Sequence, residues 1–197
     1  LKAFGMPTTI LLDTKGREAA YVAARIRESG LDALVVDCGV LGEPVGITPD
    51  IPHERVAEAA GATLEAVRLT GTRGAAVEIM ARGLSGVLAE LYRQGRCAGV
   101  IALGGAEGAV MAGHAMQALP LGLPKIIVTP VAAGQRTFGP FVGRRDVLVM
   151  HSVVDILGLN PVSRIIFDNA AGAITGMVRA RAARPSGTGT QRLVAVT

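Results

Sequence analysis

The stretch from Gly99 to Met111 constrains this chain most. An uncharged apolar run, Val100 to Leu103, is cut off by Gly104 and Gly105, a third glycine follows at Gly108, and apolar residues then resume at helical spacing. A short buried strand, a glycine turn and a helix satisfy that order. Glycines let backbone N–H groups approach a ligand closely, and the helix that follows turns its partly positive N-terminus to the same point. Phosphate suits such a place. The same glycines also serve a tight turn that holds nothing, because G-G-x-x-G is not the dinucleotide fingerprint.

The alternation of strand and helix recurs along the chain. Thr8 to Leu12 reads as a strand ending at Asp13-Thr14-Lys15-Gly16, and Ala19, Val22, Ala23 and Ile26 mark one face of a helix closed by Gly30. Leu34 to Val36 is a second strand, expected to be central and parallel because the runs beside it are apolar rather than alternating. Gly39 to Pro52 reads as a long loop, His53 to Ala60 as a short helix, and Thr63 to Arg73 as a loop with room for a short helix. A longer helix follows from about Gly74 to Gln94, its stripe formed by Val77, Met80, Leu84, Val87, Leu88 and Leu91. Lys125 to Thr129 and Asp146 to Met150 are further strands, and His151 to Leu157 reads as a short helix. Asn160 and Pro161 supply a cap and first residue for a last helix to about Ala183, with Val162, Ile165, Ile166, Ala170, Ile174, Met177 and Val178 on its buried side.

The expected fold class is therefore α/β, a Rossmann-like parallel sheet of about five or six strands flanked by helices and occupying residues 1–185. Residues 1 to 7 are expected to pack poorly. Residues 186–197 read as a linker and the first strand of a missing second domain, since Leu193 to Val196 is strand-like with nothing after it to pair with.

Composition narrows the function. Half of the 197 residues are apolar but only Phe4, Tyr21, Tyr92, Phe138, Phe141 and Phe167 are aromatic, so the core is aliphatic. The formal charge of +4 owes much to arginines near the C-terminus, and with so few rings to stack bases it argues against nucleic acid as a partner. Cys38 and Cys97 lie in apolar stretches, as buried thiols of a reducing, cytoplasmic compartment would. No membrane span is expected, because the longest uncharged segment is broken by His114, Gln117 and Pro120. His53, His114 and His151 share no metal-ligand spacing, no metal is expected, and no serine or cysteine stands in a nucleophile pattern.

In a parallel sheet the segments after the strands gather along one edge, where ligands bind. That edge collects Asp13, Thr14, Lys15, Asp37, Gly104, Gly105, Glu107, Gly108, Ala132, Ala133, Gly134, Ser152 and Asp155 as candidate binding residues. Lys15 there neutralises phosphate charge, Asp13 or Asp155 holds Mg²⁺ or a ribose hydroxyl, and Thr14 and Ser152 donate hydrogen bonds. Each has a structural alternative. Asp13 to Gly16 also suits a plain capping turn, Asp155 a buried acid satisfied by Ser152, and Arg136, Arg144 and Arg145 either an anion clamp or a solvated loop.

Four motifs in this order, Leu-Asp-Thr-Lys-Gly from Leu12, Val-Val-Asp-Cys-Gly-Val-Leu-Gly-Glu-Pro from Val35, Leu-Gly-Gly at Leu103, and Ser-Val-Val-Asp-Ile-Leu-Gly-Leu-Asn-Pro-Val-Ser-Arg from Ser152, resemble the Tm-one-like ATP-binding family. The resemblance implies ATP as ligand, with Mg²⁺ possible, a second domain, a homodimer and, in the plant relative, contact with viral replication proteins. The family's Gly-Gly-Ser-Gly-Gly-Thr turn is here Gly104-Gly105-Ala106-Glu107-Gly108-Ala109, and Ile10 and Leu11 replace a Gly-Thr pair. A Glu107 facing the cradle repels phosphate unless Mg²⁺ intervenes or the side chain turns away. Two other functions fit the same sequence: half of an enzyme site for a small acid or phosphorylated metabolite, completed by the missing domain, and a dimerisation or partner-docking module.

Overall fold

Successive side chains of a strand point to opposite faces of its sheet, and the apolar runs supply a core on both. Ile10 and Leu12 face one layer and Leu11 the other, as Ile101 and Leu103 do against Val100 and Ala102. The computed structural model describes residues 6–133 and 139–184. Within them five strands form one wholly parallel sheet: β1 (Thr8–Leu12), β2 (Ala33–Asp37), β3 (Gly99–Leu103), β4 (Lys125–Thr129) and β5 (Leu148–His151), in the order β2-β1-β3-β4-β5. Helices α1 (Gly16–Glu28) and α7 (Pro161–Ala182) cover one face. The other is covered by α2 (His53–Ala59), α3 (Leu64–Arg68), the long α4 (Arg73–Arg93), α5 (Ala106–Met116) and the single turn α6 (Gly139–Val142). This is the Rossmann-like α/β arrangement that the sequence predicts, with five strands.

Four details differ from the expectations. The second strand is an edge strand, not a central one. It is nonetheless dry, because the returning loop lies along its free side: Asp37 N–H donates to Ile51 O at 2.9 Å, Ile51 N–H to Val35 O at 3.1 Å, and Val35 N–H to the Asp50 carboxylate at 2.7 Å. An apolar edge strand sealed in this way has the same composition as a central one. Nor does a helix follow β5. His151 ends the strand, and Val153 takes φ 65°, a left-handed conformation that no right-handed helix admits, while the Ser152 hydroxyl donates to Val154 O at 2.5 Å.

The last helix starts as expected, with the Asn160 carboxamide accepting from Val162 N–H at 2.9 Å and Ser163 N–H at 3.0 Å, and Ser163 Oγ accepting from Asn160 N–H at 2.9 Å. Its buried side is Ser163, Phe167, Ala170, Ile174 and Val178, facing α1, so Val162 and Ile165 on the outer side are exposed instead. Finally, Met6 packs on the α1/α7 face and Pro7 O accepts from Ala98 N–H at 2.9 Å, which ties part of the expected leader to the domain. Gly134, Arg136 and the linker and strand read at 186–197 lie outside the described residues.

Candidate functional site

The strand order fixes where a ligand can enter. Chain connections leave β1 toward β2 on one side and β3 toward β4 on the other, so a crevice opens between the C-terminal ends of β1 and β3. Asp13 and Thr14 follow β1 there, and Gly104 and Gly105 follow β3 and lead into α5. A cleft of about 550 Å³ lies at this point. Asp13, Thr14, Glu107 and Met111 form its floor, and Val40, Leu41, Ala76, Val77 and the 68–73 segment form its walls.

Local geometry shapes the floor. Thr14 takes φ 59°, a strained conformation for a β-branched residue, which turns the chain sharply out of β1. Gly104 and Gly108 let α5 close onto that turn: a Cβ on Gly104 would lie 3.0 Å from the Gly108 Cα, and one on Gly108 would lie 3.3 Å from both the Cβ and Oδ2 of Asp13. A Cβ on Gly39 would lie 3.4 Å from Asp13 Oδ1, so the carboxylate sits between two glycines. Gly105 caps α5 with no side chain, and open space surrounds it. The unpaired N–H groups of the first turn of α5 are thus accessible.

Three carboxylates converge here. Burial pushes the Asp13 carboxyl above its ordinary range, as does the negative charge of Glu107, and the nearby Lys15 and Arg73 only partly offset this. Burial likewise raises Asp37, against the Gly39 N–H that donates to its Oδ1 at 2.8 Å and against the neighbouring His53. Glu107 does face the cleft, but its carboxylate is paired with the Arg73 guanidinium at 2.5 Å. Repulsion of an incoming phosphate is therefore reduced by a cation from the start of α4. Above the cleft, Arg68 is held in place by its Nε–H, which donates to Val40 O at 2.8 Å.

Because the folded-state pKa of Asp13 lies above 3.8, folding holds its proton more tightly than the unfolded chain does. Its contribution to stability is full below pH 3.8 and is lost as pH rises through the folded value. Asp13→Asn is therefore expected to raise the melting temperature at neutral pH, and the gain should shrink toward pH 4 in thermal scans across pH. A gain that grows on acidification would refute the assignment.

The other candidates fall elsewhere. Lys15 caps α1 beside the cleft without lining it, and no side chain of its own closes that cap. Ala132 and Ala133 end the 3-10 turn Pro130–Ala132 after β4. Ser152 and Asp155 follow β5, three strands along the sheet from β1; Ser152 spends its hydroxyl on Val154 O, and Asp155 is exposed rather than a buried acid satisfied by Ser152. Cys38 is buried, its thiol donating to Leu12 O at 3.0 Å, and burial pushes its pKa well up, so it is no nucleophile. The residues that sequence reasoning missed are Arg68, Thr70, Thr72 and Arg73, in a segment with no periodicity to mark it. The available signal was the Thr-Gly-Thr-Arg turn from Thr70 ahead of an amphipathic helix, where Thr72 accepts from Ala75 N–H at 3.2 Å as the N-cap of α4.

No helix among the described residues is long and apolar enough to cross a membrane. Comparison with known sequences gives one family: residues 8–183 match the N-terminal domain of the uncharacterised protein family UPF0261. A UPF0261 protein of Clostridium tetani is 39% identical over 171 residues, covering 87% of this chain and 42% of the relative. One of Rhizobium meliloti is 38% identical over 165 residues, covering 84% and 40%. The ToMV susceptible protein tm-1(GCR26) of Solanum lycopersicum is 40% identical over 114 residues, 58% of this chain and 15% of the tomato protein. The chain thus spans about two fifths of the length of these bacterial relatives, whose matches cover 42% and 40% of them.

Proposed function

The chain belongs to the UPF0261 family through that family's N-terminal domain, and on that premise we propose that it binds a nucleotide, ATP with Mg²⁺, in the β1/β3 cleft. One observation carries the reading: at the reversal point of a doubly wound sheet the first turn of α5, through Glu107, meets two arginines and the half-buried Asp13 carboxylate around a single cleft. A volume of about 550 Å³ is in the range of a small-molecule site. Val40, Leu41, Leu69, Val77 and Met111 offer an apolar wall for the base. The first-turn N–H groups of α5 take the phosphates, with Arg73 and Arg68 as counter-charges. The Arg73 side chain is mostly exposed, so its remaining N–H donors are free to take a phosphate oxygen while the guanidinium stays beside Glu107. Asp13 would hold Mg²⁺, which would supply charge neutralisation to the phosphates and offset the negative charge that Glu107 adds beside it. The strained Thr14 is consistent with a position kept for a ligand.

The test is Gly105→Asp. The backbone at Gly105, φ −68° and ψ −158°, accepts any residue, and a Cβ there meets nothing within 4 Å. An aspartate at this N-cap is expected to leave stability unchanged or to raise it by about a few tenths of a kcal/mol. It also puts a carboxylate where the phosphates bind, and so should abolish the response to ATP. For the parent chain, ATP at about a hundredfold excess over its Kd stabilises by about 2.7 kcal/mol, read as a rise in melting temperature of about 5–10 °C. A parent that does not respond to millimolar MgATP, or a Gly105→Asp variant that responds equally, would sink the proposal.

A further inference from the structure

Beside Asp37, among residues that do not line the cleft, lies a second polar cluster. His53 opens α2, Glu54 follows it, and Glu43 approaches from the long loop after β2. We propose that Glu43, His53 and Glu54 form a binding site for one divalent transition-metal ion of the zinc type, with Asp37 behind the histidine as the group that orients it.

The buried ring carries the argument. His53 is only 1% exposed, yet neither ring nitrogen makes a hydrogen bond of proper geometry. Buried polar atoms are nearly always satisfied, so a buried imidazole with both nitrogens unpaired calls for a partner. Nδ1 stands 3.3 Å from Asp37 Oδ2, without the angle of a hydrogen bond, and a ring proton carried on that side has a carboxylate beside it. Nε2 then stands unprotonated beside two carboxylates, with Glu54 Oε1 at 3.1 Å and Glu43 Oε1 at 3.5 Å. A lone pair facing two anions is repulsive unless a cation lies among them. The spacing suits one: donors about 2.0–2.1 Å from a tetrahedral ion stand about 3.3 Å apart, and the two measured separations bracket that value. The three donor atoms all lie within 4.8 Å of one another.

Donor chemistry selects the class of ion. An imidazole nitrogen with two carboxylate oxygens favours zinc and its neighbours over magnesium or calcium, which take oxygen alone. Asp37 behind Nδ1 is the carboxylate–histidine–metal arrangement that fixes ring orientation and raises ligand basicity. Three protein ligands leave a fourth position open to water or to a ligand. The site is at the surface, since the Glu43 and Glu54 side chains are 80% and 52% exposed. Neither thiol takes part, as Cys38 donates to Leu12 O and Cys97 lies in the core against β3.

The experiment is titration of the metal-free chain with Zn²⁺ by calorimetry, and with Co²⁺ by visible absorption, in buffer without nucleotide so that its outcome is independent of ATP binding. One ion per chain is expected, with a tetrahedral Co²⁺ spectrum that lacks thiolate charge transfer. The double variant Glu43→Gln/Glu54→Gln alters only exposed side chains, so its fold survives, and its zinc affinity should fall by about a hundredfold or more, against the about 10–100-fold that loss of a mere supporting group costs. His53→Gln should abolish the cobalt spectrum. A parent chain that binds no zinc, its ring being simply an imidazolium among carboxylates, overturns the proposal. A double variant that binds zinc as tightly as the parent overturns it equally.

Discussion

Gly83→Ala is expected to lower the melting temperature by about 4–8 °C, although alanine is the better helix former. Gly83 lies in the middle of α4, where α2 crosses it. A Cβ there would overlap the Val56 carbonyl oxygen, approach the Val56 carbonyl carbon to 2.9 Å and touch the Ala60 Cβ at 3.3 Å. The first two atoms are helix backbone and cannot rotate away, so one helix must move. Overpacking of this kind costs about 1–3 kcal/mol or more, against about 1 kcal/mol gained in helix preference. Because the overlap is with helix backbone, the upper end of the cost, about 3 kcal/mol, applies and the net loss is about 2 kcal/mol. Gly86, one turn further on, is the control: the nearest atoms to its Cβ are both 3.9 Å away. Gly86→Ala should therefore stabilise by up to about 1 kcal/mol. Thermal or urea unfolding of the two variants, showing opposite signs, checks the close approach of α2 and α4; equal effects would disprove it. The consequence reaches the proposed metal site, because α2 carries His53 and Glu54.

The second large effect is at Lys125. Its side chain is completely buried, and its ammonium donates to Pro120 O at 2.8 Å, Leu123 O at 2.9 Å and Asp146 Oδ1 at 2.8 Å. Three donors meet three acceptors, so the charge is fully satisfied. Partial burial tends to raise the Asp146 pKa, but the Lys125 ammonium and the Gly122 N–H outweigh it and hold the carboxyl below 3.8. Removing a partner from a buried pair leaves an uncompensated charge, at about 3–5 kcal/mol. Asp146 is 44% exposed, so water replaces part of it, and the expected loss for Asp146→Ala is about 2–3 kcal/mol. Lys125→Met in the Asp146→Ala background should recover part of the loss, because the orphaned charge is gone. Since the folded pKa of Asp146 is depressed, the pair contributes fully at pH values above 3.8 and its contribution disappears as pH falls through the folded value. Unfolding curves at neutral pH for the two variants decide this, and an Asp146→Ala chain as stable as the parent would refute it.

These positions show how far the sequence could be read. Apolar runs and helical stripes located every strand among the described residues and the long helices, because burial on both faces of a parallel sheet leaves uninterrupted apolar stretches. The Asn160-Pro161 signal placed the start of α7 correctly, because capping is chemistry among residues three apart. The same local reasoning misplaced β2 in the sheet, since a strand sealed by its own returning loop and a strand between two others look alike. It also put a helix after β5, where Val153 turns left-handed.

At the candidate site, Asp13, Thr14 and the glycine turn could be read because the edge of a parallel sheet collects whatever follows its strands. The pairing of Arg73 with Glu107 could not be read, because Arg73 opens α4 34 positions earlier and only the fold brings the two together. Nor could Glu43 and His53, ten positions apart, as a pair: only the fold of the long loop brings them within 3.5 Å. The sequence by itself determined the strands, the long helices and the edge at which the strands' following segments gather. Tertiary structure alone decided the strand order, the charge balance around Asp13, the burial of Lys125 and the company of His53. The physical reason is range: periodicity and capping act over a few residues, whereas charge, burial and donor geometry depend on neighbours brought together by loop closure.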